Sequence, residues 1–142
     1  MKLILAGVPA SQGLAAGRVV RVEEGAAVRD VEPGAPIVLV AAMASPTLRA
    51  LVQAARGSLE VGALVVERGG SLSTMATLAR ELGVPAVFGA IDALASMQEG
   101  ELVLVDGGTG LVYRLDGAEA ARGQRSLPES LKPDSLKMGL VA

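Results

Sequence analysis

Hydrophobic and polar positions along the 142-residue chain alternate in short blocks, which is typical of strands separated by turns. The stretch Gly17–Glu23 alternates Val with Arg, as expected of a strand with one face in water. Ile37–Ala41 is a continuous apolar run, which predicts a strand buried on both faces. Leu3–Val8 is a short apolar run that ends in a predicted turn, Pro9–Gly13. Further strands are predicted at Ala63–Glu67 and Val84–Phe88, and a hairpin at Glu101–Asp106 and Leu111–Leu115.

Two segments have the spacing and end signals of helices. Ser45–Pro46 has the form of an N-cap followed by Pro at the first helical position, and Thr47–Arg56 then places its apolar residues on one face. Ser73 is the predicted N-cap of a second helix, Thr74–Leu82, which a glycine follows. A short third helix is predicted within Ile91–Met97. Strands mixed with these helices predict an α/β fold in which helices cover a sheet.

The length fits one compact domain. After Asp116 the periodic pattern fades, and the rest of the chain has prolines and isolated leucines between polar residues. We therefore predict a domain over residues 1–116 and a flexible or loosely docked tail over residues 117–142.

Composition excludes several classes of function. The chain is 51% hydrophobic but 1% aromatic, and its net charge is −2 without a basic cluster. Binding of nucleic acid by base stacking or by phosphate contacts is therefore not expected. Since there is no Cys and no His, we expect neither a disulfide nor a metal site, and no cofactor. No stretch has the roughly 18 apolar residues that a membrane span needs, and we expect a cytoplasmic protein.

The segment Glu67–Gly89, ERGGSLSTMATLARELGVPAVFG, resembles the signature of the mobile, swivelling domain of enzymes that use phosphoenolpyruvate (PEP). The family pattern is close to GG-x-x-SH-x-A-x-x-ARE-x-G-x-PA. The matching residues are Gly69, Gly70, Ser73, Ala76, Ala79, Arg80, Glu81, Gly83, Pro85 and Ala86. Separate matches outside this segment are GVPASQGLAAG at Gly7–Gly17 and EGELVLVDGGTG at Glu99–Gly110. The resemblance implies a swivelling β/β/α fold and covers roughly residues 7 to 115.

In this family the domain carries a phosphoryl group on one histidine, at the position that Thr74 holds here. The resemblance thus implies a ligand site at Gly69, Gly70, Ser73, Thr74 and Arg80. The first turn of a helix has free N–H groups and a positive dipole end, which favour a phosphate. A threonine hydroxyl, however, needs a positioned base to act as a nucleophile, and the chain has no histidine to serve as one. We therefore assign no catalytic residue.

Three functions remain open from the sequence. The first is a stand-alone, degenerate mobile domain that acts as a non-catalytic accessory or regulatory module. Its partner would be a protein with a PEP- or nucleotide-binding domain, or another copy of the chain. The second is a subunit of a split phosphotransferase that carries phosphate on Thr74 or Ser73. The third is a module that binds a phosphate-bearing metabolite without chemistry.

Overall fold

The structure is a computed structural model, which describes residues 1–23, 36–53 and 61–115. This part of the chain forms eight strands and three helices. The strands are β1 (Lys2–Ala6), β2 (Val8–Ser11), β3 (Leu14–Val22), β4 (Ile37–Ala41), β5 (Val61–Val66), β6 (Ala86–Phe88), β7 (Leu102–Asp106) and β8 (Leu111–Arg114). The helices are α1 (Pro46–Gln53), α2 (Thr74–Leu82) and α3 (Ala93–Ser96). None of the described helices is long and apolar enough to cross a membrane.

All eight strands belong to one sheet in the order β1-β8-β7-β3-β4-β5-β6-β2. The two end strands, β1 and β2, follow each other in the chain and are joined by Gly7 alone. The sheet must therefore curl until its ends approach. At this point the Gly7 N–H donates to the Gly110 carbonyl at 2.8 Å. Gly7 has no room for a side chain, since a Cβ would lie 2.7 Å from the Phe88 carbonyl oxygen.

Strands β3 to β6 form the parallel half of the sheet. Helix α1 connects β4 to β5, and α2 connects β5 to β6. Both helices lie on one face because successive crossovers in a parallel sheet have the same hand. Leu48 and Val52 of α1 and Met75 of α2 pack there with Leu39 and Leu64 of the sheet. The loops after β4, β5 and β6 consequently meet at one edge, the carboxyl edge of the parallel strands.

The opposite face of the sheet encloses a second core of small aliphatic side chains. Val38, Val65 and Val103 lie in it, and Ala93 and Met97 at the two ends of α3 pack against them. Since the chain has one Phe and no Trp, both cores depend on close packing of Val, Leu, Ile and Ala.

The predicted α/β fold is confirmed, with differences at some boundaries. The Pro9–Gly13 stretch, predicted as a turn, holds most of β2, because Val8–Ser11 pairs with β6. Pro9 lacks an N–H to donate. Because β2 is an end strand of the sheet and its register shifts beside Pro9, no hydrogen bond between interior strands is lost. Strand β3 also begins three residues earlier than predicted, at Leu14. The predicted tail, residues 117–142, lies outside the described residues.

Candidate functional site

The loop between β5 and α2 lies at the carboxyl edge of the parallel strands. Gly69 has φ of +116°, in the region that favours glycine, and a Cβ there would lie 3.3 Å from the Phe88 ring. The Ser73 N–H donates to the Gly70 carbonyl at 3.1 Å, which closes the turn before the helix. Gly70 has open space around it. The two glycines thus allow the tight turn that precedes the first residue of α2.

Ser73 caps α2, as predicted from the sequence. Its backbone is extended, and its Oγ accepts from the Ala76 N–H at 3.2 Å. Thr77 adds a second local bond, since its Oγ1 donates to the Ser73 carbonyl at 3.2 Å. At the other end Gly83 is left-handed, with φ of +69°, and closes the helix. The Ser73 hydroxyl is therefore occupied with holding the first turn.

Thr74 is the first residue of α2 and is exposed. Its hydroxyl makes no hydrogen bond within the described residues. The residue lines a groove of about 340 Å³ together with Ala44, Ser45, Pro46, Arg49 and Met75. None of these side chains can serve as a general base near neutral pH, since they are aliphatic, hydroxyl, thioether or guanidinium groups.

The groove lies between the N-termini of α1 and α2. Ser45 caps α1, because its Oγ accepts from the Leu48 N–H at 3.1 Å. Both helices thus direct their positive dipole ends toward the groove, and the exposed Arg49 adds a cationic side chain. Neither Arg49 nor the proximity of α1 to Thr74 was predicted from the sequence. The Ser45–Pro46 helix start was a signal for the position of α1, but not for its nearness to Thr74.

Arg80 lies on α2 at a distance from this groove and holds the loop in place. Its Nη1 donates to the Ala10 carbonyl at 2.7 Å and to the Ser71 carbonyl at 2.8 Å. Its Nη2 donates to Thr77 Oγ1 at 3.1 Å. Arg80 lines a different and larger groove, of about 590 Å³, with Ser11 and Gly107 among its neighbours. The structure therefore separates Arg80 from Thr74, although both lie on α2.

Within residues 1–23, 36–53 and 61–115, no three acidic side chains come together in a way that could hold a metal ion. Gly69, Gly70, Ser73 and Thr74 are brought together at one loop and helix start. Their binding of a ligand, and that of Arg80, stays a prediction.

Comparison with known proteins identifies the family of the chain. The sequence profile of the family described as "PEP-utilising enzyme, mobile domain" matches residues 33–110. Phosphoenolpyruvate synthase of Aeropyrum pernix is 38% identical over 136 residues, which cover 94% of this chain and 15% of the synthase. The chain belongs to the family of PEP-utilising enzyme mobile domains. It spans about one seventh of the length of that synthase.

Two solved structures have the same fold as this mobile domain. Aconitase X of Thermococcus kodakaraensis aligns with a TM-score of 0.58 and 20% identity, over 79% of this chain and 98% of that chain. A UPF0107 protein solved by NMR aligns with a TM-score of 0.59 and 17% identity, over 78% of this chain and 98% of that one. At these identities the likeness concerns the fold alone. The mobile domain contains no histidine, so no phosphohistidine can form in it.

Proposed function

We propose that this mobile domain is a non-catalytic accessory or regulatory module of PEP-dependent phosphotransfer, which binds a protein partner in the cytoplasm. The observation that carries the proposal is Thr74, an exposed hydroxyl with no base among the described residues that line its groove. Membership of the family supports the relation to phosphotransferases. The partner we propose is a protein with a PEP- or nucleotide-binding domain; assembly with another copy of the chain is the other possible partnership.

The chemistry of the helix start argues against phosphoryl transfer. An unassisted threonine hydroxyl has a pKa far above neutral, and a serine or threonine nucleophile works only with a positioned base. Arg49 is the charged side chain of the groove, and a guanidinium group offers hydrogen-bond donors and no acceptor. The second candidate carrier, Ser73, has its Oγ engaged with the Ala76 N–H. A phosphothreonine ester would also be too low in energy to return its phosphoryl group to pyruvate or ADP.

Exposed apolar side chains surround the same edge and support the binding of a protein. Leu72, two residues before Thr74, is 93% exposed, and Ile91, which follows β6, is 75% exposed. Met43, in the loop after β4, is exposed as well. Three large apolar side chains on three adjacent loops are more than scattered surface residues, and such groups mark interaction sites.

The groove at Thr74 also favours a second candidate, the binding of a phosphate-bearing metabolite. Two helix N-termini and Arg49 converge on it, and each of them attracts an anion. In this alternative Gly69, Gly70, Ser73 and Thr74 would contact the phosphate through backbone N–H and hydroxyl groups. Arg80 would contribute indirectly, because its hydrogen bond to the Ser71 carbonyl holds the loop that precedes α2.

A binding experiment with surface variants tests the main proposal. The tagged full chain is used to capture proteins from its source organism, and Leu72→Asp and Ile91→Asp are compared with Leu3→Asp. Leu3 is 51% exposed on β1, an end strand of the sheet, and is the matched control. We expect a protein with a PEP- or nucleotide-binding domain to be retained by the unmodified chain and by Leu3→Asp, and to be lost with the other two. Equal capture by all four proteins would contradict the proposed surface.

Intact-mass measurement and calorimetry separate the alternatives. The chain is incubated with PEP or ATP and the captured partner, and we expect its mass to stay unchanged. A gain of one phosphoryl group that disappears in Thr74→Val would replace the proposal with the phosphate-carrier function. Heat on titration with PEP that disappears in Arg49→Met would favour the metabolite-binding function instead.

A further inference from the structure

Ser11 is the one polar side chain that is buried in the part of the chain that the structure describes, and it is 5% exposed. Its Oγ makes no hydrogen bond to a described residue. A buried hydroxyl normally has a partner, because leaving it unpaired costs free energy. Since no side-chain oxygen or nitrogen of the described residues is both sealed from solvent and unpartnered, the Ser11 hydroxyl opens to the surface. Its hydrogen-bonding capacity is therefore left to a molecule from solution.

The surface that Ser11 reaches is the groove of about 590 Å³ that Arg80 also lines. We call it the β2 groove; its lining includes Ser11, Gln12, Arg80, Gly83, Gly107 and Gly108. Its volume is in the range of small-molecule sites, roughly 300 to 1,000 Å³.

The walls of the β2 groove are held in place by hydrogen bonds across the fold. The β7–β8 turn lies against β2, and the Gly107 N–H donates to the Gly13 carbonyl at 2.8 Å. On the other side, Arg80 of α2 donates to the Ala10 carbonyl at 2.7 Å. The groove is thus formed before a ligand arrives, which lowers the entropy cost of binding.

The charge in the β2 groove favours an anion. Arg80 is the charged side chain of its described lining, and no carboxylate belongs to that lining. Helix α2 also ends at the groove, at Gly83, and a helix C-terminus has a partial negative charge. This charge, about half a unit, is smaller than that of the guanidinium. The balance therefore suits a group with one negative charge better than a doubly charged phosphate.

Arg80 has donors to spare for such a group. A guanidinium has five N–H bonds, and three of them are used: two from Nη1 to the carbonyls of Ala10 and Ser71, and one from Nη2 to Thr77 Oγ1. One N–H on Nε and one on Nη2 remain. A carboxylate accepts two such N–H groups side by side, in a bidentate pair. Because three bonds already hold the side chain, little freedom is lost when it binds.

We propose that the β2 groove binds a small carboxylate that carries a second oxygen group. The carboxylate accepts from Nε and Nη2 of Arg80. The second group, a carbonyl or a hydroxyl, bonds to the Ser11 Oγ and to the amide of the exposed Gln12. This site is separate from the groove at Thr74, and the inference does not depend on the proposed function.

The test is an NMR titration of the isotope-labelled full chain with pyruvate, a small carboxylate with a neighbouring carbonyl, at constant ionic strength. We expect the amide signals of Ser11, Gln12, Gly107 and Gly108 to shift along one saturating curve. A parallel titration with inorganic phosphate should move these signals less.

Variants identify the groups that bind. Ser11→Ala should raise the dissociation constant for pyruvate by about fivefold, the effect of one lost hydrogen bond. Arg80→Lys should raise it further, since an ammonium group keeps the charge but lacks the fork. Ser71→Ala is the matched control, because it also removes a serine hydroxyl close to Arg80 but lies outside the lining of the β2 groove. Arg49→Met, in the groove at Thr74, should have no effect either.

Three results would overturn the proposal. The first is the absence of saturating shifts at the amides of the β2 groove. The second is a set of shifts confined to Thr74 and its neighbours, which would place the anion at the start of α2 instead. The third is an equal response to phosphate, since the groove would then select for charge and not for a carboxylate.

A second measurement keeps the test decisive if Ser11→Ala loses the dispersion of its NMR signals. In the unmodified chain with saturating pyruvate, nuclear Overhauser contacts should join the pyruvate methyl group to the Cβ protons of Ser11 or the Cα protons of Gly108. Their absence would refute the placement of the ligand in the β2 groove.

Discussion

The Nη1 atom of Arg80 donates to the carbonyl oxygen of Ala10 at 2.7 Å, across 70 residues of sequence. The same atom donates to the Ser71 carbonyl at 2.8 Å. One guanidinium therefore joins α2, the end strand β2 and the loop that carries the glycines. This arrangement fixes the entry of α2 relative to the sheet, and it assigns Arg80 a structural contribution whether or not a ligand binds.

Replacing Arg80 should destabilise the domain. We expect Arg80→Met to lower the free energy of unfolding by about 2 kcal/mol, because two carbonyl groups lose a charged donor. Arg80→Lys should recover part of this loss, since an ammonium group cannot reproduce the geometry of the guanidinium fork. The measurement is urea unfolding followed by circular dichroism.

Arg68→Met is the matched control for Arg80. Arg68 is also exposed, but its side chain makes no hydrogen bond within the described ranges. Its substitution should change the stability by less than about 0.5 kcal/mol. Equal losses for Arg68→Met and Arg80→Met would refute the structural role of Arg80.

Removal of the α2 cap should have a smaller effect. Ser73→Ala deletes the hydroxyl that accepts from the Ala76 N–H, and we expect a loss of about 1 kcal/mol in urea unfolding. Ser71→Ala is the control, since the bond that Ser71 makes to Arg80 uses its backbone carbonyl. If the two alanine variants were equally stable, the capping role of Ser73 would be wrong.

The elements predicted well from the sequence are those with local signals. Helix α2 has a capping serine before it and a left-handed glycine after it, and both bounds were predicted correctly. Strand β4 was predicted from its apolar run, because burial on both faces leaves no polar position. The family resemblance added the position of the glycine turn and of Thr74.

The features that the sequence did not predict depend on distant contacts. Strand β2 exists because Val8–Ser11 pairs with β6, nearly 80 residues later, and its proline and glycine neighbours predict a turn locally. Arg49 adjoins Thr74 because two crossover helices begin at the same edge of the sheet. The hydrogen bond of Arg80 to the Ala10 carbonyl likewise depends on the curling of the sheet. No local sequence pattern predicts this curling, because it results from pairing between distant segments.

The close approach of the β7–β8 turn to β2 makes Gly107 irreplaceable. A Cβ on Gly107 would overlap the Ser11 carbonyl oxygen and lie 2.9 Å from the Ala86 nitrogen. Both are backbone atoms and cannot move aside as a side chain can, so we expect Gly107→Ala to cost about 3 kcal/mol or more. Thermal and urea unfolding measure this loss.

The neighbouring glycine is the control for this prediction. A Cβ on Gly108 would meet only the Asp106 Oδ1 atom, at 3.4 Å. Neither glycine has a positive φ, so strain of the backbone does not enter the comparison. Gly108→Ala should be tolerated, and a Gly107→Ala protein of unchanged stability would show that the turn does not pack on β2 as described.

The ion pair between Arg114 and Glu101 should contribute modestly and in a salt-dependent way. Arg114 Nε lies 2.6 Å from Glu101 Oε2, and Arg114 Nη2 donates to the Ser96 carbonyl at the end of α3. Since the two side chains are 37% and 22% exposed, water and salt screen their attraction. We expect Glu101→Gln to lower the free energy of unfolding in urea by about 1 kcal/mol or less at low salt, and this loss to shrink in about 1 M salt.

Glu81→Gln is the control for the change in net charge, because Glu81 is exposed and has no described side-chain partner. A loss that is the same at both salt concentrations would contradict a contribution from the ion pair.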